Sequence, residues 1–211
     1  LYFEGDRFHS FRILRTYKNR FGPTDEIAVF EMMENGLREV SNPSDIFLSE
    51  RTDDKVTGST IVAALEGTRP ILVEVQALTS TTYFGIPQRK STGTDYNRFS
   101  ILLAVLEKRA GFHLGSLDVF VNVVGGIKIV EPASDLGVAV AIASSVKNSP
   151  VSNEFVIIGE VGLGGEIRGV TQIERRINEA KKLGFKKCII PFHNMKTVAK
   201  TNGIEIKGVK T

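Results

Sequence analysis

The stretch Asp118–Ser145, DVFVNVVGGIKIVEPASDLGVAVAIASS, decides how the chain is read. Asp118, Phe120, Asn122 and Val124 alternate with Val119, Val121 and Val123, which is the period of a strand. Gly125-Gly126 supplies a turn, and a second short apolar run leads to the polar loop Glu131-Pro-Ala-Ser-Asp135. Leu136–Ala143 carries no charge, so the spacing predicts a helix buried nearly all round. A polar loop opening a buried helix beside a sheet is a natural seat for a nucleophile or an anion.

Outward from that centre, strands and helices alternate. Ser59–Leu65 and Pro70–Leu78 read as strands joined by a hairpin at Glu66–Arg69. Tyr83–Thr94 reads as a basic loop, and Asp95–Arg109 as a helix with Phe99, Leu102, Leu103 and Leu106 at helical spacing and Gly111 as its stop. Beyond the central helix, Phe155–Gly159 is a buried strand and Val161–Val170 a glycine-rich hairpin. Gln172–Leu183 is a helix with Ile173, Ile177 and Ala180 inward, followed by strands at Lys187–Ile190 and Ile204–Ile206 around a short helix at His193–Lys200. This predicts an α+β or α/β domain over residues 59–211, taken as α+β with mixed sheets and packed helices. Residues 1–45 read as strands, with a hairpin at Asn35-Gly36, that cannot close a core alone. Residues 46–58 read as a linker.

Composition narrows the function. Hydrophobic residues make up 42% and charged residues 24% of 211, which is ordinary globular usage. No membrane span or signal peptide is expected, and the single Cys188 fits a reducing, cytoplasmic setting. Three scattered histidines and one cysteine give no metal-ligand spacing. Residues 1–50 carry six Lys/Arg against nine Asp/Glu, and residues 51–211 carry 21 against 15. The larger part is therefore basic, and a polyanion is a candidate partner.

The run Lys18-Asn19-Arg20-Phe21-Gly22, with LYFEGDR and HSFRILR before it, resembles the signature of the bacterial RadA (Sms) DNA-repair family. GTRPILVEVQAL, DYNRFSILLAVLEKR and EPASDLGVAVAIASS are similar to that family's C-terminal domain, which in turn resembles the proteolytic domain of Lon. The opening LYFEG also looks like a protease-tag scar, but its family context identifies it as native. The resemblance implies that residues 1–45 are the last strands of a RecA-like α/β ATPase core and that residues 59–211 are Lon-protease-like. It further implies an ATP-dependent DNA branch-migration helicase acting in homologous recombination, working as a ring hexamer. ATP and Mg belong to the full-length protein and zinc to its N-terminal finger. This chain, with neither C-x-x-C nor G-x-x-x-x-G-K-[ST], is expected to hold no cofactor and to be no enzyme alone.

The resemblance also assigns residues. Matching the helix-opening glycine of Lon to Gly137 puts Asp135 at the position of its serine nucleophile. Counting from Gly159-Glu160 puts Glu174 at the position of its lysine. A carboxylate cannot form the acyl intermediate and a second one cannot activate it, so proteolysis is expected to be lost. The residue-level alternative is that Ser134 or Asp135 simply caps the helix. Lys18 and Arg20 are implied to sense nucleotide phosphate across a subunit interface. The DNA-contact candidates are Arg69, Arg89, Lys90, Arg98, Lys128, Arg168, Arg175, Arg176, Lys181 and Lys182, binding single- or double-stranded DNA without regard to sequence. Two other readings remain open at this point: a Ser-Lys peptidase of the Lon type, and a platform for a recombinase.

Overall fold

The computed structural model describes residues 2–4, 11–16, 20, 27–40, 42, 44, 48, 56–83, 85–198 and 203–211. Strands β1 (Tyr2–Glu4), β2 (Phe11–Arg15), β3 (Ile27–Met33) and β4 (Gly36–Glu39) form an antiparallel sheet in that order. The β3–β4 hairpin turns at Glu34-Asn35, one residue before the Asn35-Gly36 pair read from the sequence, and Gly36 opens β4 at φ 121° opposite Met33. Val29 and Val40 are buried and joined by a backbone hydrogen bond of 2.8 Å.

The second sheet is built from β5 (Ser59–Glu66), β6 (Arg69–Thr81), β7 (Arg89–Thr92), β8 (Leu117–Val123), β9 (Phe155–Ile157), β12 (Lys187–Pro191) and β13 (Glu205–Val209). Its seven strands lie in the order β13-β12-β9-β5-β6-β8-β7. Pairing is mainly parallel, with β6 antiparallel to β5 and β8. The mixture of strands and helices is therefore as read, but the interleaving is that of a mixed α/β sheet. Parallel neighbours need a crossover, and helix α3 (Ile173–Lys182) supplies it between β9 and β12. The glycine-rich hairpin between β9 and α3 is β10 (Glu160–Val161) paired with β11 (Ile167–Arg168).

Strand alternation divides the core in two. Val62, Ala64, Ile71, Val73, Val75, Val119, Val121 and Val123 point to one face, where they meet α1 (Tyr96–Ala110) and α2 (Asp135–Lys147). Ile61, Ala63 and Leu72 point to the other, against Ile173, Ile177 and Ala180 of α3. Asp95 caps α1 by accepting from the Arg98 N–H, and Gly111 ends it in the left-handed conformation at φ 72°. α2 is apolar nearly all round because it lies in the sheet's concave face. Gly137 permits its approach: a Cβ there would stand 2.1 Å from Val62 Cγ1.

Two local expectations are corrected and one is refined. The loop read over Tyr83–Thr94 contains edge strand β7, which pairs parallel with β8. The Gly125-Gly126 turn is present as the 3-10 turn Val124–Gly126, and the apolar run after it makes a lone bridge, Thr94 to Ile129. Residues 192–196 are a 3-10 helix, Phe192–Lys196, while residues 199–202 lie outside the described set.

Candidate functional site

The loop before α2 is the most heavily tied part of the domain. Glu131 leads into a 3-10 turn, Pro132–Ser134, with Ser134 Oγ donating to Glu131 O at 2.9 Å. Gly159 N–H donates to Ala133 O at 2.8 Å and Leu136 N–H to Gly159 O at 3.0 Å, which fastens the loop to the end of β9.

Asp135 is 2% exposed and does not cap the helix. Its carboxylate accepts from Arg98 of α1, with Nε 3.0 Å from each oxygen and Nη2 also bound, and from the Val161 N–H at 3.1 Å. Arg98 Nη2 also donates to Val161 O at 2.9 Å. Arg98, Asp135 and β10 thus form a clamp joining three elements. Burial pushes the Asp135 carboxyl above its ordinary value, while the hydrogen bonds from Arg98 and Val161 oppose that shift. The bond to Asp135 holds the Arg98 guanidinium charged, with its pKa raised despite desolvation. Ser134 sits at the helix start without a side-chain cap bond, so the capping alternative fails for both residues.

A second clamp lies beside it. Arg176, on α3, is wholly buried. It binds Glu131 through both terminal nitrogens and donates to Ala63 O at 2.5 Å and Thr171 O at 3.1 Å. Glu131 Oε2 also accepts from the Leu65 N–H at 2.9 Å. The loop, β5 and α3 are therefore held by one charged pair.

Of the residues singled out in the sequence, Lys18 lies outside the described residues, and Arg20 is exposed. Glu174 is exposed in the first turn of α3. The carboxylate that bears on Asp135 is Glu160. Arg176 corrects the reading of α3 as one basic edge, because it points into the core. Arg98 is committed to Asp135. Arg89 donates to Leu117 O and Leu114 O at 2.7 Å each, and so secures the edge strand rather than standing free. Arg69 is half-buried at the β5–β6 hairpin. Exposed cations remain at Lys90, Lys128, Arg168, Arg175, Lys181 and Lys182. Among these, Arg168 pairs with Glu166 at 2.6 Å, Arg175 reaches Thr68 O at 3.3 Å, and Lys182 stands 3.9 Å from Glu179.

Sequence reasoning missed Glu131 as a partner. Its signal was Arg176 itself, which falls at the inward spacing of Ile173, Ile177 and Ala180.

The helix starts also test a phosphate ligand. Asp95 caps α1, Asp135 opens α2 and Glu174 lies in the first turn of α3, so each start carries a carboxylate where a phosphate would need donors. Among the described residues, these helix starts are therefore no seat for a phosphate. Among the described residues, no group of three or more His, Cys, Asp or Glu side chains could hold a metal ion. No helix among them is long and apolar enough to cross a membrane.

A family model described as subunit ChlI of Mg-chelatase matches residues 73–194, from β6 through α1, α2 and α3 to the 3-10 helix after β12. The chain belongs to that family. It is also homologous, across its whole length, to the C-terminal part of bacterial proteins named DNA repair protein RadA. The one from Halalkalibacterium halodurans is 56% identical over 211 residues, which are 100% of this chain and 46% of that protein. The Bacillus subtilis protein is 56% identical over 209 residues, 99% of this chain and 45% of its own length. The Streptococcus pneumoniae protein is 55% identical over 211 residues, 100% of this chain and 50% of its own. The chain thus spans about half the length of the curated relatives it matches. The RadA resemblance in the sequence is shown by these identities.

Proposed function

We propose that this chain is the C-terminal part of a RadA-type, ATP-dependent DNA branch-migration helicase serving homologous recombination and repair. Within it, residues 59–211 act as a Lon-protease-like scaffold that contacts DNA and builds a ring hexamer. Residues 46–58 link this scaffold to residues 1–45, the closing strands of a RecA-like ATPase core. The observation that carries the reading is the 56% identity to a DNA repair protein over every residue of the chain. ATP and Mg would bind outside this chain, in the half of the relatives that it does not cover. Lys18 and Arg20 would reach toward the phosphates of a neighbouring subunit.

The domain is proteolytically silent on this reading. Asp135, at the position of the Lon serine, is an acceptor saturated by Arg98 and Val161 rather than a nucleophile awaiting a base. Ser134 Oγ is committed to Glu131 O, and Glu174 supplies no ammonium.

DNA contact needs cations on the surface, and Lys90, Lys128, Arg175 and Lys181 are exposed. If about four phosphates are neutralised, the logarithm of affinity falls with the logarithm of salt at a slope of about −3 to −4. Anisotropy titration with labelled duplex DNA across a salt series measures this. No binding at low salt would overturn the DNA-contact role, and a monomeric mass for the full-length protein with and without DNA would overturn the ring.

A further inference from the structure

On the side of the sheet away from α1 and α2, α3 covers only part of the surface. It packs against Ile61, Ala63 and Leu72, with Ile158 and Ile190 in the same cluster. Among the described residues, the remaining part, formed by the ends of β6, β8 and β7 and edged by Val56–Ser59, is uncovered. Strand register sets its side chains in two rows. Leu78, Phe120 and Lys90 are neighbours in one, and Gln76, Asn122 and Thr92 in the other. The rows stand about 7 Å apart, two residues along each strand.

These residues line a shallow depression of about 470 Å³. Its floor is apolar, with Leu78 63% exposed, Phe120 partly buried beside it and the exposed Val56 at its margin. Its polar groups are unspent. Gln76 Nε2 gives one N–H to Glu74 at 3.1 Å, while the side chains of Lys90, Thr92 and Asn122 have no hydrogen-bond partner among the described residues. The same side of the sheet carries the exposed cations of α3, Arg175, Lys181 and Lys182, together with three carboxylates: Glu174, exposed on α3, Glu74, buried beside Gln76, and Asp118, which accepts from the Gln88 N–H and Thr82 Oγ1 next to Lys90.

Resting on the reading of this chain as a DNA-contacting module, we propose that this bare face is a platform for single-stranded nucleic acid. It would take about two or three nucleotides, one per strand position across the sheet. A base stacks on Phe120 and Leu78, the Asn122 and Gln76 amides meet base edges, and Lys90 takes a phosphate. Duplex DNA keeps its bases stacked on one another and cannot lay them on this floor, so the face discriminates strand from duplex. A protein partner would have to bury Lys90 and two amides around a small apolar floor of Leu78, Phe120 and Val56, which is a poor return on desolvation.

The test uses the 211-residue chain, a labelled oligothymidylate and a labelled duplex of equal length. Phe120→Ala is expected to weaken oligothymidylate binding on the order of tenfold, with duplex binding changed by less than about twofold. Asn122→Ala, an exposed amide whose loss leaves the fold intact, is expected to cost about threefold for the single strand. Lys90→Ala should lower the salt slope for the single strand by about 0.7. Lys108→Ala, on the solvent side of α1, is the charge control. Ultraviolet crosslinking of a bromouracil-substituted strand should mark the peptide that contains Phe120. If the wild-type chain binds neither nucleic acid, the functional reading itself falls. If it binds both and the platform variants bind the single strand as wild type does, or lose both ligands equally, or the crosslink maps elsewhere, this inference alone is overturned.

Discussion

Replacing Arg176 by methionine keeps most of the side chain's length and removes its charge. The guanidinium is fully buried, donates to two carbonyls, Ala63 O and Thr171 O, and pairs with Glu131, whose side chain is 24% exposed. Its loss leaves Glu131 facing the core without a cation and two carbonyls without donors. Breaking a buried pair from one side costs about 3–5 kcal/mol. For a chain of this size each kcal/mol moves the melting temperature by about 2–4 °C, so a fall of about 6–20 °C is expected. Circular dichroism melts and urea titrations read both quantities. A double-mutant cycle with Glu131→Gln isolates the pair from the packing. The doubly substituted chain should be less destabilised than the sum of the single changes by at least about 1 kcal/mol. An Arg176→Met chain melting within about 3 °C of wild type, or strictly additive effects in the cycle, would refute the clamp.

Gly137→Ala should destabilise by about 1–3 kcal/mol in urea titration, because a Cβ there collides with Val62 Cγ1 at 2.1 Å. That outcome reverses the gain of up to about 1 kcal/mol that the same change gives in an unencumbered helix. Burial pushes the Cys188 thiol up to about 12 from an ordinary 9.0, so the unfolded chain loses its proton first. Stability is then unaffected below about pH 9 and falls by about 1.4 kcal/mol per pH unit from there toward 12. The pH dependence of Cys188→Ala should lack that component, and the native thiol should resist alkylation at neutral pH until the chain unfolds. In the full-length protein, Lys18→Ala or Arg20→Ala should impair ATP-dependent DNA remodelling, and wild-type activity in both would remove their assigned role.

The fold was legible wherever burial imposes a period. Val119, Val121 and Val123 alternate because one face of β8 meets α1 and α2, and α2 lacks charge because the sheet encloses it. Edge strand β7 was hidden because Arg89–Thr92 is half solvated and its parallel pairing with β8 leaves no hairpin signal. Its position depends on contacts far away in sequence, namely Arg89 on the carbonyls of Leu114 and Leu117 and Asp118 on the Gln88 N–H. No local pattern encodes those partners.

At the site, the same physics explains why Arg98 and Arg176 were misplaced. An arginine reads as surface because its charge is costly to bury, and that holds only while it has no partner. Arg98 and Arg176 each found a carboxylate in the loop that opens α2, Asp135 for one and Glu131 for the other. Two carboxylates four residues apart in a buried loop require two cations from elsewhere in the chain. The inward spacing of Arg176 beside Ile173 and Ile177 is where the sequence carried that requirement. The loop is therefore a structural keystone tying α1, α3, β5 and β10 together. Cations left on the surface, such as Lys90, Lys128 and Lys181, are the ones free to meet a polyanion.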